Sequence, residues 1–95
     1  MKFTWDKRKN KANIKKHGVS FEQAVLVFDD EMLLDRYDTR HILIGNAGGR
    51  ILYVVATEID QDTTRIISAR YTSKQEKEDY YGYGNLYFGN RSQTH

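Results

Sequence analysis

Phe3 and Trp5 alternate with polar neighbours at the start of the chain, the period of a short first strand. Asp6 stands where an N-cap belongs and Gly18 where a helix ends on a left-handed residue, which predicts a helix over about Lys7 to Lys16. Ala12 and Ile14 are essentially its only apolar anchors, so it is expected on the surface with its lysine stems partly covering the core. A second helix follows. Ser20 and Gln23 form a capping box, Val19 and Ala24 fit the hydrophobic staple around it, and Phe21, Ala24, Val25 and Phe28 make one apolar stripe before Asp29-Asp30 ends it.

The pattern then changes to strands over Met32 to Tyr37, Arg40 to Gly45, Arg50 to Thr57 and Thr64 to Tyr71. Asn46-Ala47-Gly48-Gly49 is a hairpin loop with glycines for positive φ, and Asp60-Gln61-Asp62 is a second turn, so consecutive hairpins predict an antiparallel meander. Ile51 to Ala56 is almost continuously apolar and is expected to be a central strand buried on both faces. Thr72 or Ser73 caps a last helix to about Tyr81, with Gln75 or Glu76 in the capping-box position and Gly82 as its stop. The expected order is β-α-α-β-β-β-β-α, an α+β domain over residues 1–82 with helices packed on an antiparallel sheet. Residues 83–95 carry Tyr83, Leu86, Tyr87 and Phe88 among Gly and Asn; a terminal strand, an unstructured tail or a linker all fit, and no function is assigned to them.

Composition agrees with one small core. Seven Tyr, four Phe and one Trp in 95 residues are too much aromatic material for a chain that does not fold. No apolar run reaches the roughly 18–20 residues needed to cross a membrane, and the start of the chain lacks a signal peptide, so a soluble, cytoplasmic protein is expected. Cysteine is absent, and His17, His41 and His95 show no metal-ligand spacing, so neither thiolate chemistry nor a metal site is expected. The net charge of +2 says little; its distribution says more. Residues 1–18 hold seven Lys and Arg against one Asp, residues 19–63 nine acidic residues against three Arg, and residues 64–95 five basic residues against three acidic. The two ends of the chain can therefore build a positive face for an anionic partner, RNA above all, although an unevenly charged solvated surface would give the same counts.

In the last strand, ideal alternation puts Arg65 with Ile67, Ala69 and Tyr71 on one face and Arg70 with Ile66 and Ser68 on the other. The two arginines can then share a site only through a strand end or a bulge. Arg70 runs into the capped helix, so Arg70, Lys74 and the helix start make a candidate phosphate seat; the alternative is an ion pair between Arg70 and a carboxylate of the acidic middle. His17 is read as a favourable cation at a helix C-terminus, and Asn13, unusual in mid-helix, as a hydrogen bond to the neighbouring loop. His41 alternates with Arg40, so only one of the two faces any given site. Tyr71, Tyr80 and Tyr81 could stack on bases or pack against the sheet. Cleavage of RNA by its own 2′-OH needs a base, an acid and charge on the pentacoordinate phosphate, but no metal. The residues offer the charge and no obvious acid–base pair.

Trp5-Asp6, Lys7, Asn13, Lys16-His17-Gly18, Val19, Phe21, Ala24, Val27-Phe28-Asp29, Ile44-Gly45 and Arg65-Ile66-Ile67-Ser68-Ala69-Arg70 together resemble the BrnT family of bacterial toxins over about residues 3–81. The resemblance implies a RelE-like fold and a metal-independent ribonuclease, without cofactor, that arrests translation. It implies a BrnA-like antitoxin with a ribbon-helix-helix domain, operator DNA being met only through that antitoxin. It also implies catalytic roles for Arg65, Arg70, Arg40 and Tyr80 and an RNA-binding role for Lys16, to which Lys74 of the phosphate seat and Lys7 of the basic first helix are added as RNA-binding candidates. The family often has a longer segment, with a His and a Glu-Arg pair, where this chain has Asp38-Thr39-Arg40-His41; Arg40 matches the Arg of that pair and the His has no sure equivalent. Two further readings compete with the toxin: a module that binds antitoxin and nucleic acid with nuclease activity weak or lost, and a divalent-metal nuclease, for which no ligand set stands out.

Overall fold

The computed structural model describes residues 1–30, 33–37 and 39–84, of which residues 33–37 and 83–84 are described by their backbone alone. A short strand β1 (Lys2–Thr4) leads into α1 (Lys7–His17) and α2 (Phe21–Val25), and α2 tightens into a 3-10 turn over Leu26–Asp29. Four strands follow, β2 (Leu33–Tyr37), β3 (Arg40–Ala47), β4 (Arg50–Glu58) and β5 (Thr63–Tyr71), and then α3 (Lys74–Gly84). Met32 and the segment beyond Gly84, with Leu86, Tyr87 and Phe88, lie outside the described residues.

The sheet order is β1-β5-β4-β3-β2. β2 to β5 form the expected antiparallel meander, with Gly48 (φ 65°) and Gly49 (φ 98°) making the β3–β4 turn. β1 departs from the antiparallel expectation: it runs parallel to β5 at the sheet edge, Lys2 to Thr4 opposite Thr63 to Arg65. Hairpin logic could not reveal this pairing, because its partners are some sixty residues apart in the chain and a parallel pair needs a crossover.

α1 begins and ends as its caps predict. The Asp6 carboxylate accepts from the amides of Arg8 and Lys9, and Gly18 (φ 72°) donates back to the Ile14 carbonyl. Its anchoring differs from expectation. Ile14 is 45% exposed and Ala12 is exposed, whereas Asn13 is buried. The Asn13 amide donates to Val19 O (2.8 Å) and Ala69 O (2.7 Å), and its carbonyl accepts from Ala69 N (3.3 Å). β1 covers β5 only as far as Arg65, so the polar groups of Ala69 on that edge would otherwise lack partners. The loop hydrogen bond is there, and the same side chain also completes the sheet edge.

Above the sheet, Ser20 and Gln23 close their capping box, and Val19, Phe21, Ala24 and Val27 are fully buried against Leu43, Leu52, Val54, Ala56, Ile66 and Ala69. The change to a 3-10 turn brings Val27 inward and leaves Val25 and Phe28 half-buried. Phe28 meets Phe3 (centroids 4.9 Å apart), and Trp5 meets Phe21 edge-on at 6.2 Å. Gly45 lets the turn approach: a β-carbon there would lie 2.8 Å from Val27 Cγ1 and 3.1 Å from Val27 O.

β4 is the central strand, but it is not buried on both faces. Leu52, Val54 and Ala56 are buried on the helix-covered face, whereas on the other Ile51 is buried but Tyr53, Val55 and Thr57 are only half-buried. That second face is open except where α3 crosses it. Ser73 caps α3, its hydroxyl accepting from the Glu76 amide (3.2 Å) while Glu76 accepts from Ser73 N (2.9 Å). Gly82 does not stop the helix, which continues to Gly84. No described helix is long and apolar enough to cross a membrane.

Candidate nucleic-acid interface

One irregularity decides what the open face carries. β5 pairs regularly with β4 from Thr64 to Ile66 and again from Ser68 to Tyr71, but Ala56 opposes Ile66 while its neighbour Val55 opposes Ser68. Ile67 is therefore an extra residue, a β-bulge. Residues directly opposite each other point to the same face. Ile66 joins Ala56 and Ala69 joins Val54 in the core, so Arg65 beside Thr57 and Arg70 beside Tyr53 both fall on the open face. The opposite-face assignment drawn from ideal alternation is thus corrected. Arg40 also pairs with Thr57, from the other side, and stands on the same face.

Arg40, Thr57 and Arg65 form one cross-strand row, with the two arginines about 10 Å apart at the backbone. Ile42, Val55 and Ser68 form the next row, and Ile44, Tyr53 and Arg70 the third, about 13 Å from the first. Arg40 and Arg65 are exposed, and Arg65 has no side-chain partner among the described residues.

Arg70 is differently placed. Its guanidinium forms a two-pronged pair with Glu76 (both contacts 2.8 Å), donates to Tyr71 O (3.2 Å) and lies 4.0 Å from the centre of the Tyr53 ring. The Arg70 hydrogen bonds hold the Glu76 carboxyl down to about 2, and the pairing raises the pKa of Arg70 in turn. The anticipated phosphate seat of Arg70, Lys74 and helix start is therefore filled from within, by Glu76 at the guanidinium and by Ser73 at the helix amides. The carboxylate comes from α3 and not from the acidic middle of the chain.

The remaining candidates do not converge on the arginine rows. Tyr80 donates its hydroxyl to Asp30 Oδ2 (2.6 Å), and Asp30 also accepts from Asn46 N (2.9 Å). Burial, and then the Asp30 hydrogen bond, push the Tyr80 phenol up to about 12. A phenol so held stays protonated near neutral pH and ties α3 to the rest of the domain. Lys7 and Lys16 are exposed at opposite ends of α1, which packs on the helix-covered face, and Lys74 is exposed at the start of α3. His17 sits in the last turn of α1. His41 points to the helix-covered face, where Nε2 lies 2.9 Å from Glu58 Oε1 without hydrogen-bond alignment. Among the described residues no three His, Asp or Glu side chains gather in a metal-binding arrangement.

Sequence reasoning marked Tyr71 and Tyr81 as rings that could stack or pack, but not the cluster they form with Arg50 at the other end of the sheet. Arg50 donates to Tyr71 Oη (2.9 Å) beside a hollow bounded by Lys77 and Tyr81. Arg50 itself was signalled only by the Gly-Gly-Arg of the hairpin, which gives no hint of tertiary partners.

An α+β domain that lays arginines in rows across an open sheet face is of the class that meets a polyanionic chain. Comparison makes the class specific. The profile of the family described as "Ribonuclease toxin, BrnT, of type II toxin-antitoxin system" matches residues 5–76, and the chain belongs to that family. The crystal structure of the Brucella abortus ribonuclease toxin, BrnT, superimposes with a TM-score of 0.66 at 27% identity, covering 78% of this chain and 99% of that one. No curated protein gives a significant match. As a toxin of a type II system, the chain has RNA as its substrate class and an antitoxin as its partner.

Proposed function

We propose that the chain is a metal-independent endoribonuclease that arrests translation in the cytoplasm, with the open sheet face as its RNA-binding surface. The observation that carries this reading is the bulge at Ile67, which gathers Arg65, Arg70 and Arg40 on one face. Arg40 and Arg65 flank Thr57 and are spaced for a phosphate between them, while Arg70, about 13 Å further along, suits a neighbouring phosphate of the same strand. The substrate's 2′-OH attacks the adjacent phosphorus, and the arginines stabilise the charge that gathers on the pentacoordinate phosphate. Among the described residues no histidine lies on this face, so catalysis rests mainly on positioning and charge. Lys74 extends the positive field for the RNA strand, and Lys16 and Lys7, at the two ends of α1 on the helix-covered side, add to it only remotely. Tyr80, bonded to Asp30, serves the reaction by holding α3 and not as a base.

In this reading a BrnA-type ribbon-helix-helix antitoxin inhibits by placing acidic side chains on the arginine face, with a salt-sensitive complex as the consequence. Operator DNA is met only through the antitoxin. Glu76 already occupies Arg70 in that manner, an observation that also suits the second reading, a binding module with little or no nuclease activity.

Incubating the purified chain with single-stranded RNA, with and without chelator, separates the readings. Cleavage indifferent to chelator supports the enzyme, and tight binding without cleavage assigns the module. Arg65→Ala is the cleanest variant, since that side chain is exposed and unpartnered among the described residues. It is expected to relieve growth arrest and to cut cleavage by about a hundredfold or more, as loss of a charge-stabilising group does, with the circular dichroism spectrum unchanged. Full toxicity in folded Arg65→Ala and Arg70→Ala proteins would sink the assignment.

A further inference from the structure

At the end of the sheet where β4 begins and β5 runs into α3, a hollow of about 200 Å³ is lined by Arg50, Ile51, Tyr71, Thr72, Lys77 and Tyr81. Its chemistry is unusually one-sided. Two cations and two tyrosines line it, and no carboxylate does, although α3 carries Glu76, Glu78 and Asp79. Both tyrosine rings are exposed, Tyr71 at 44% and Tyr81 at 55%, whereas the other described aromatic rings are buried or half-buried. Burying either ring would gain apolar contact, so their exposure invites an external partner.

The cluster is held in position from several sides. Arg50 donates to the hydroxyl of Tyr71, and its guanidinium carbon lies over the ring, 5.9 Å from the centre. Tyr81 is braced edge-on by Tyr80 at 5.2 Å, and Tyr80 is in turn tied to Asp30. Thr72 donates to Ile51 O (3.2 Å) and fixes the floor. Gly18, at the end of α1, lies close to Tyr71: a β-carbon there would touch the ring edge at 3.9 Å, and the glycine leaves that space unfilled. A cavity of this size is below the roughly 300–1,000 Å³ of sites for whole small molecules and suits a single planar ring with its charge outside.

We infer that this hollow is a nucleobase subsite: one base of a single-stranded RNA stacks on Tyr71 and Tyr81, and Arg50 and Lys77 hold the phosphate beside it. Ile51 lies in line with Tyr53 and Thr57 along β4, about 7 Å from the Arg70 row and about 20 Å from the Arg40–Arg65 row. Tyr71, opposite Leu52, and Arg50, opposite Ala47, point instead to the helix-covered face, so the hollow lies at the end of the sheet where its two faces meet. An RNA strand that crosses the arginine rows rounds this end of the sheet and is anchored there by a base. Stacking accepts any base, because every base has an aromatic face, so the subsite contributes affinity and register without choosing sequence. The inference rests on the RNA-binding reading above and extends it to residues outside the arginine face.

The test uses the full chain and a fluorescent single-stranded RNA with 2′-O-methyl sugars, which cannot be cleaved by its own 2′-OH, read by fluorescence anisotropy. Tyr71→Leu and Tyr81→Leu are each expected to weaken binding by about tenfold, and Tyr71→Phe, which keeps the ring, by much less. Lys77→Gln is expected to weaken binding at low salt and to flatten its dependence on salt. An oligonucleotide of the same length without bases should bind the parent more weakly and be indifferent to Tyr71→Leu. Parental affinity in the folded Tyr71→Leu/Tyr81→Leu double variant would overturn the subsite, and so would equal losses on the base-free backbone. Loss of antitoxin binding with RNA binding intact would assign the cluster to the antitoxin instead. If Tyr71→Leu cannot be folded, Tyr81→Leu alone decides. A parent that stacks RNA in this way but never cleaves it would refute the nuclease and leave the subsite standing; a parent that cleaves, with a double variant that binds and cleaves equally, would refute the subsite alone.

Discussion

Glu76→Gln should destabilise the free domain and, at the same time, tighten its hold on RNA. In the parent the Glu76 carboxylate caps the start of α3 through Ser73 and grips Arg70 with both oxygens. A carboxyl moved from 4.5 to about 2 on folding corresponds to about 3 kcal/mol if nothing screened it. Solvent does screen it, because the side chains are 35% and 23% exposed, so the expected loss in Glu76→Gln is about 1–2 kcal/mol. Glutamine keeps an oxygen for Ser73 and one for Arg70, which favours the lower half of that range. In a domain this small the melting temperature should fall by roughly 5–12 °C.

The pH dependence follows from the sign. A carboxyl whose folded pKa is depressed stabilises fully above its ordinary value and loses that contribution as pH falls towards the folded value. The gap between parent and variant should thus be constant from pH 7 down to about 4.5 and close between 4.5 and about 2. Urea unfolding followed by circular dichroism measures it, with the difference between the proteins removing the other carboxylates that titrate in the same range. A Glu76→Gln protein as stable as the parent at pH 7, or a gap that persists at pH 2, would refute the reasoning about the pair. On RNA, releasing Arg70 from its internal carboxylate should raise affinity several-fold for the uncleavable oligonucleotide. Unchanged affinity would mean that Arg70 braces α3 and does not meet phosphate.

Asn13→Leu removes both side-chain donors and the acceptor that serve Val19 and Ala69, and leaves buried backbone groups of β5 unpaired. A loss of about 2–4 kcal/mol is expected in urea unfolding, against well under 1 kcal/mol for Lys15→Ala two residues away on the exposed side. Gly45→Ala forces a β-carbon to within 2.8 Å of Val27 Cγ1 and 3.1 Å of a backbone oxygen, and should cost about 1–3 kcal/mol, read as a lowered melting temperature. Antitoxin binding should weaken steeply between low and physiological salt, and Arg65→Ala should reduce that slope; a salt-independent complex would remove the mimicry model.

Local structure was legible because its determinants lie within a few residues of one another. Asp6 and Gly18 bound α1, Ser20 and Gln23 start α2, and Gly48-Gly49 turns β3 into β4, each through contacts confined to one turn of chain. The meander followed from the same local signals, and the quoted motifs sufficed to point to the family. What no local rule contained was the relation between strands. Ile66 and Ala69 are three residues apart, yet both are apolar and both are taken into the core, opposite Ala56 and Val54. A strand of strict period two cannot satisfy them together, so Ile67 leaves the ladder and the faces of everything after it exchange. That single extra residue carries Arg65 and Arg70 to one side. The parallel seat of β1, the Asn13 amide closing the edge beyond it, the Glu76 carboxylate on Arg70 and the Arg50–Tyr71 contact are decided in the same way, by groups brought together only when the sheet closes. By itself, then, the sequence determined the elements, their caps and the kinship of the chain. Which arginines share a surface, and which of them is already paired, depended on registers and contacts between residues far apart in the chain, which only the assembled fold could set.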